Sequence, residues 1–330
     1  MAAAAPAVIP SPSVLDSLSS NVNLVGGLWF VSSALLTTYS TTSFLKYQHA
    51  DSDSCKIHVP NRLHLPRPQL LTLFRFGGSL LLGLLLHPDV HLISRIRATM
   101  ATIPDFVLPA AFLTIANYAN SIALNRIGIS LTYTSKCAIP IFTVLLTYLL
   151  DGPTALPALP TLLSLVPIAG GIALASWDSP VFEAKGFSFA MISSSAQTAL
   201  NVCSKKALAK TGLSGAEGQR AMVAVGLAIT AVLFLLQKQP EHCVDDEIPP
   251  PSWLSLLAVT AYHLEYVLSF TFVRMVAPVA YGASDAVRRL AIIISGHYMF
   301  GHDRFTTVNV LGIATALVGA MAYAITSHAF

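Results

Sequence analysis

The chain has 330 residues, of which 54% are hydrophobic and only 11% are charged, and its formal net charge is +3 at pH 7. Soluble domains carry about 25% charged residues, so this chain has too little polar surface to cover a water-soluble globule. The composition excludes a soluble domain, gives no sign of a nucleic-acid partner, and indicates a protein that lies in the lipid bilayer.

Long apolar stretches fill most of the chain. A helix needs about 20 such residues to cross roughly 30 Å of hydrocarbon, and only helices satisfy their backbone groups in lipid without closing a barrel. The candidate spans are 24–45, 69–87, 104–124, 127–150, 155–177, 186–206, 220–237, 252–273, 276–300 and 304–327. The sequence therefore predicts an all-α integral membrane protein with ten transmembrane helices.

The residues outside these stretches are few. Residues 1–23 contain no Lys or Arg, unlike a signal or transit peptide, and we interpret them as a flexible tail before a single membrane domain, 24–327. The four cysteines form no CxxC pair, and Pro88 interrupts the helical spacing of His87 and His91. We expect no metal, no cofactor and no enzyme activity, because the loops offer no catalytic spacing.

The two halves of the chain, about 24–150 and 155–327, end in a similar way. Tyr133 precedes Lys136, and Tyr281 precedes Arg288; each pair is followed by an apolar stretch and a glycine-dotted final helix. Since five spans are an odd number, the second half enters the membrane in the opposite orientation. This is the inverted-repeat plan of secondary transporters, which bind substrate near the midplane between the repeats.

Charged residues inside the predicted spans are costly in lipid and usually face a wet cavity or a partner. Lys136 lies too deep in its span to reach the interface easily. One face of the ninth span carries a polar stripe, and Arg289 points roughly 100° away from it. The stripe consists of Tyr281, Ser284, Asp285 and Arg288. Asp285 is spaced to pair with one of the two arginines, and we expect that it does not neutralise both.

Uncharged polar residues also recur at helical spacing. Either they contact a ligand or they form hydrogen bonds between helices. They are Asn117, Asn120 and Ser121 on the third span, Ser193, Gln197 and Asn201 on the sixth, and Tyr262 and Tyr266 beside Glu265 on the eighth. Aromatic residues such as Trp29 are expected in interfacial belts or in packing.

Four segments resemble a known family. They are "NYANSIALNRIGISLTYTSKCAIPIFTVLL", "LVPIAGGIALAS", "NVCSKKALA" and "RMVAPVAYGASDAVRRLAIIIS". They are similar to the triose-phosphate and nucleotide-sugar translocators of the drug/metabolite transporter superfamily. The resemblance implies a bundle of ten helices with both termini in the cytosol, which exchanges one anion for another by alternating access. In the plastid phosphate translocators of this family, a lysine and a Lys-Arg pair hold the phosphate, at positions that match Lys136, Arg288 and Arg289.

Several residues depart from the phosphate translocator pattern. Asn117 and Asn120 replace His and Thr, Leu200 replaces an arginine, Glu265 replaces a tyrosine, and Asp285 replaces an asparagine. The predicted site is therefore less cationic, and nucleotide sugars stand beside sugar phosphates as expected substrates.

The remaining expectations concern location, assembly and class. We expect a Golgi or ER membrane, with the plastid envelope as the alternative, and a monomer or homodimer. A non-transporting scaffold and a membrane-embedded transferase remain alternative functions.

Overall fold

The computed structural model describes residues 21–52, 67–86, 92–177, 179, 181–236, 252–275, 278–300 and 306–327. Within these residues all regular structure is helical and no strand occurs, which confirms the all-α prediction. Residues 1–20 of the expected tail, the segment 53–66, and the pair His87 and His91 lie outside the described residues.

We number the helices α1 to α10 along the chain. In α1, Val22–Val31 and Thr38–Ser52 are joined by a π-helical turn, Ser32–Thr37. The others are α2 (Arg67–Leu85), α3 (92–127), α4 (129–151), α5 (Leu159–Leu163 and Leu165–Trp177), α6 (Ala184–Thr211), α7 (Gly215–Leu236), α8 (Ser252–Met275), α9 (Pro278–Phe300) and α10 (Thr307–Thr326).

One glycine separates α3 from α4. The helical segment Leu92–Ser135 changes direction at Gly128, whose φ of 71° and ψ of −178° are not helical. Glycine adopts positive φ without steric cost, so this residue permits the sharp turn between two helices with no loop. After the turn, α4 continues through a 3₁₀ turn, Lys136–Ala138, into Ile139–Asp151.

Five helical stretches in the described part of the chain are long and apolar enough to cross a membrane. They are Val22–Leu45, Thr99–Leu150, Leu159–Trp177, Gly215–Leu233 and Thr307–Thr326. The second has 52 residues, about 78 Å of helix, which is more than twice the roughly 30 Å of a bilayer core. Helices α6, α8 and α9 carry more charged and polar side chains.

The packing places apolar side chains outside as well as inside. One core cluster, between α2, α3, α6, α7 and α8, contains Phe76, Phe106 and Met222. A second, between α4, α5, α9 and α10, contains Ile168 and Leu317. Large apolar side chains also cover the outer surface: examples are Leu81, Leu149 and Leu235. Such a surface suits contact with lipid rather than with water.

Helices α5 and α10 approach each other at two glycines. A Cβ atom on Gly171 would collide with the backbone of Ala316, and one on Gly312 would collide with the backbone of Ala175. Backbone atoms cannot move away as a flexible side chain can. Small residues at helix contacts are how membrane helices come close together, and these two glycines fix the distance between α5 and α10.

We predict that Gly171→Leu destabilises the protein, because the larger side chain must separate α5 from α10. Overpacking of this kind costs about 1–3 kcal/mol or more. Gly170→Leu is the matched control, since a Cβ at the neighbouring Gly170 meets no atom within 4 Å. Thermal unfolding of the purified protein in detergent measures both variants, and equal melting temperatures for the two would contradict the prediction.

Candidate functional site

The helices enclose a cavity of about 530 Å³. Many of the side chains that line it are polar or charged, in a protein whose outer surface carries many large apolar side chains. Both halves of the chain contribute to it: α1, α2, α3 and α4 from the first half, and α6, α8, α9 and α10 from the second. The predicted residues Lys136, Arg288, Arg289, Tyr133, Asn117, Asn120, Asn201 and Glu265 all line this one cavity. The side chain of Tyr281 lies outside the described part of the chain.

The carboxylate of Asp285 pairs with both arginines of α9. Its Oδ1 accepts a hydrogen bond from Arg288 Nη2 at 2.6 Å, and its Oδ2 accepts one from Arg289 Nη2. Asp285 thus pairs with both arginines, although its single negative charge offsets only one of the two positive charges. The Cα of Arg289 is rotated about 100° from that of Arg288, but a long side chain at i+4 reaches back to the second oxygen of the carboxylate.

Arg288 also connects α9 to α1 and α8. Its Nη1 donates to Glu265 Oε1 at 3.0 Å and to Ser33 Oγ at 2.6 Å. Ser33, in the π-helical turn of α1, donates in turn to Glu265 Oε1 at 2.8 Å. The guanidinium lies 4.8 Å from the ring of Trp29. Trp29 is only 2% exposed and packs on Phe272 inside the bundle, so it is a packing residue rather than part of an exposed aromatic belt.

Lys136 and Arg289 meet where α4 and α9 cross. Pro140 has no N–H to give the carbonyl of Lys136, and the local chain forms a 3₁₀ turn in which Ile139 N–H donates to that carbonyl. Arg289 Nη1 supplies a second donor to the same oxygen. The Lys136 ammonium lies 5.1 Å from the ring of Tyr133, and among the described residues no carboxylate forms an ion pair with it.

The predicted amide residues fall into two groups. Asn117 Nδ2 donates to the backbone of its own helix at 2.9 Å, and the hydroxyl of Tyr266 is 3.4 Å away. Asn120 Oδ1 is buried with no hydrogen-bond partner among the described residues. On α6, Gln197 donates to Asn201 at 3.1 Å. The Asn120 oxygen thus has no donor among the described residues, whereas the other three amides are at least partly satisfied within the protein.

Sequence reasoning missed Arg75 on α2, which also lines the cavity. The side chain is 4% exposed, donates to Thr41 and lies 5.4 Å from the ring of Tyr262. The signal was present: Arg75 is a single cation inside the apolar run "LLTLFRFGGSLLL", too far from either end to reach water easily. Leu200, by contrast, is 1% exposed in an apolar core cluster and does not line the cavity.

The charges of the cavity favour an anion. Five cations line it, namely Arg75, Lys136, Lys205, Arg288 and Arg289, against the carboxylates of Glu265 and Asp285, so the formal net charge is +3. Arginine remains protonated and offers a planar fork that matches phosphate and carboxylate geometry. The fold and the cavity therefore define a helical membrane protein with an excess of positive charge in the cavity between its helices.

Comparison with known proteins identifies the family. Residues 58–324 match the model of the triose-phosphate transporter family, and the chain belongs to this family. Phosphoenolpyruvate/phosphate translocator 2, chloroplastic, from Arabidopsis thaliana is 30% identical over 277 residues, which cover 78% of this chain and 69% of the relative. Glucose-6-phosphate/phosphate translocator 2, chloroplastic, from the same plant is 28% identical, with 64% of this chain and 55% of the relative covered.

A third relative is named for a non-green plastid. The triose phosphate/phosphate translocator, non-green plastid, chloroplastic, of Brassica oleracea var. botrytis is 26% identical over 274 residues, which cover 78% of this chain and 65% of the relative. The matched region is thus between about half and two thirds of the length of these relatives. All three carry the word chloroplastic in their names, so they give no support to the Golgi or ER location that we expected.

We predict that Asp285→Asn lowers the free energy of unfolding by about 3 kcal/mol or more, because it leaves the buried Arg289 without a carboxylate partner and leaves Arg288 with Glu265 alone. Glu183→Gln is the control. It breaks the pair between Arg126 and Glu183, whose side chains are 28% and 41% exposed, and exposed pairs contribute about 0.2–1 kcal/mol. Thermal unfolding in detergent reports both values. Equal losses in the two variants would show that the paired arginines of α9 are hydrated.

Proposed function

We propose that the protein is an antiporter that exchanges a phosphorylated sugar, or a related small organophosphate, for a smaller phosphate-bearing anion by alternating access. The observation that carries the proposal is the convergence of Lys136 from α4 with Arg288 and Arg289 from α9 on one cavity. The relatives named above are, by their names, translocators of phosphorylated compounds and phosphate. Membership of a transporter family also favours transport over catalysis or a scaffold role.

The proposal includes ten membrane spans, α1 to α10, arranged as two inverted halves. Helix packing supports this arrangement: α1 packs on α8 as α6 packs on α3, and α2 packs on α8 as α7 packs on α3. Exchanging the two halves converts each contact into its counterpart. The pairs of α2 with α7, α4 with α9, and α5 with α10 map onto themselves. This is expected when a two-fold axis in the membrane plane passes between the two helices of each pair.

In this mechanism the two carboxylates act as internal counter-ions. Asp285 and Glu265 hold the guanidinium groups in place while the site is empty. An arriving phosphate offers three strong acceptor oxygens, and a charge-assisted hydrogen bond to a phosphate is roughly twice as strong as a neutral one. We infer that the phosphate binds Lys136, Arg288 and Arg289, and that Asn117, Asn120, Asn201, Glu265 and the tyrosines Tyr133 and Tyr281 contact the rest of the substrate.

Nucleotide sugars are the second candidate substrate. The cavity volume of about 530 Å³ is within the range of about 300–1,000 Å³ that holds drug-sized ligands. For the location we favour a plastid envelope, which the names of the relatives support. A fluorescent fusion of the whole chain tests the location, and uptake of sugar phosphates against nucleotide sugars, in vesicles preloaded with phosphate or with nucleoside monophosphates, tests the substrate.

We predict that Lys136→Ala and Arg288→Ala each lower exchange about tenfold to a hundredfold. A lost hydrogen bond to a charged group is worth about 1.5–3 kcal/mol, and about 1.4 kcal/mol corresponds to a factor of ten. Lys185→Ala serves as the control, since Lys185 is exposed at the start of α6 and does not line the cavity. The measurement is counterflow of labelled phosphate in proteoliposomes.

Two results would overturn the proposal. One is wild-type exchange by a folded Lys136→Ala, Arg288→Ala double variant, which would remove the cationic site from the mechanism. The other is the absence of any counterflow by the wild-type protein, which would favour a scaffold. Turnover of a donor compound without net transport would indicate the membrane-embedded transferase instead.

A further inference from the structure

Arg75 differs from the two arginines of α9 in its surroundings. A guanidinium has five N–H donors, and within the described residues one side-chain acceptor, Thr41 Oγ1, receives a hydrogen bond from it. Its Nε is buried with no hydrogen-bond partner among the described residues. An ionised side chain inside a membrane protein normally pairs with an opposite charge, so the unused donors of Arg75 require an explanation.

No carboxylate in the described part of the chain forms an ion pair with Arg75. Glu265 pairs with Arg288 at 3.0 Å, and Asp285 is occupied by Arg288 and Arg289. What Arg75 has instead is a hydroxyl and the face of Tyr262 at 5.4 Å. An aromatic face and a hydroxyl hold the guanidinium in one position without neutralising its charge, and the side chain lines the cavity.

The position of Arg75 relative to Arg288 follows from α8. Arg75 lies against Tyr262, and Arg288 pairs with Glu265. These two residues of α8 are three positions apart in sequence, which is about 4.5 Å of rise along a helix. The cavity therefore presents two separate cationic centres on neighbouring turns of its α8 wall: the first is formed by the arginines of α9 and Lys136, and the second by Arg75 alone.

We propose that Arg75 is a second anion-binding group, which takes a second acidic group of the phosphorylated substrate. The preferred substrates would then carry two acidic groups, the second being a carboxylate or another phosphate, since the guanidinium fork binds either oxyanion in a bidentate way. This proposal rests on the function proposed above and specifies its substrate class.

The experiment compares matched substrates in proteoliposomes preloaded with phosphate. 3-Phosphoglycerate and glycerol 3-phosphate share a phosphate and three carbons, but only the first has a carboxylate. Fructose 1,6-bisphosphate and fructose 6-phosphate differ by one phosphate. Preferred uptake of 3-phosphoglycerate over glycerol 3-phosphate would identify the second acidic group as a carboxylate. Preferred uptake of fructose 1,6-bisphosphate over fructose 6-phosphate would identify it as a phosphate.

In each pair, the ratio of interest is uptake of the substrate with two acidic groups divided by uptake of the substrate with one. Arg75→Gln is expected to lower this ratio about tenfold, the effect of one charge-assisted hydrogen bond. Arg75→Lys is expected to keep part of the wild-type ratio. Arg97→Gln is the control, because Arg97 is exposed on α3 and does not line the cavity. A structural role for Arg75 would lower the uptake of both members equally.

Equal loss of both members in Arg75→Gln would overturn the proposal. Should that variant fail to fold, the wild-type protein and Arg75→Lys decide the question: a wild-type ratio below about two in both pairs would overturn it, while the proposed antiport would stand. Failure of the wild-type protein to exchange any phosphate compound would instead remove the proposed function, and this inference with it.

Discussion

The carboxylate of Asp285 lies between two guanidinium groups in a place where water hydrates them poorly. Each of its oxygens accepts hydrogen bonds from one of the two arginines. These arginines also contact four other groups: the carbonyl of Lys136 on α4, Glu265 on α8, and Ser33 and Trp29 on α1. Breaking such a buried pair leaves an uncompensated charge, a more costly state than the pair itself. The relative positions of α1, α4, α8 and α9 at the cavity thus depend on one side chain.

The same arrangement gives the cavity its capacity for anions. Helices that contact lipid need only apolar outer surfaces, and α5 and α10 pack through small residues with no charge near their contact. Around the cavity, by contrast, the cations outnumber the carboxylates, so the empty site keeps a positive charge. In the exchange that we propose, an entering anion reduces this positive charge and competes with Glu265 and Asp285 for donors that are already positioned. Under that proposal the arginines need little reorganisation when substrate replaces a carboxylate.

Much of this site could be predicted from the sequence because charge inside an apolar stretch has few explanations. Lys136, Arg288 and Arg289 stood out for that reason, and the helical period placed Asp285 beside them. Arg75 obeys the same rule and was missed because no second charged residue accompanies it at helical spacing. The sequence also could not predict that Asp285 pairs with both arginines. The helical period gives the direction of each Cα–Cβ bond, whereas the position of a guanidinium group depends on the side-chain rotamer. Which amides face inward depended on tertiary packing.

The π-helical turn Ser32–Thr37 changes the geometry of α1. A π turn accommodates one residue more than an α-helical turn, so the side chains after it point nearly as they would in a regular helix that is one residue shorter. The hydroxyl of Ser33, within the turn, accepts a hydrogen bond from Arg288. The hydroxyl of Thr41, one turn beyond it, accepts one from Arg75. Loss of one residue between 32 and 37 is therefore absorbed by a return to a regular α-helix, which leaves the direction of Thr41 nearly unchanged. Loss of one residue from the regular helix between this turn and Thr41 instead rotates Thr41 by about 100°, so α1 tolerates a change in length inside the π-helical turn better than one outside it.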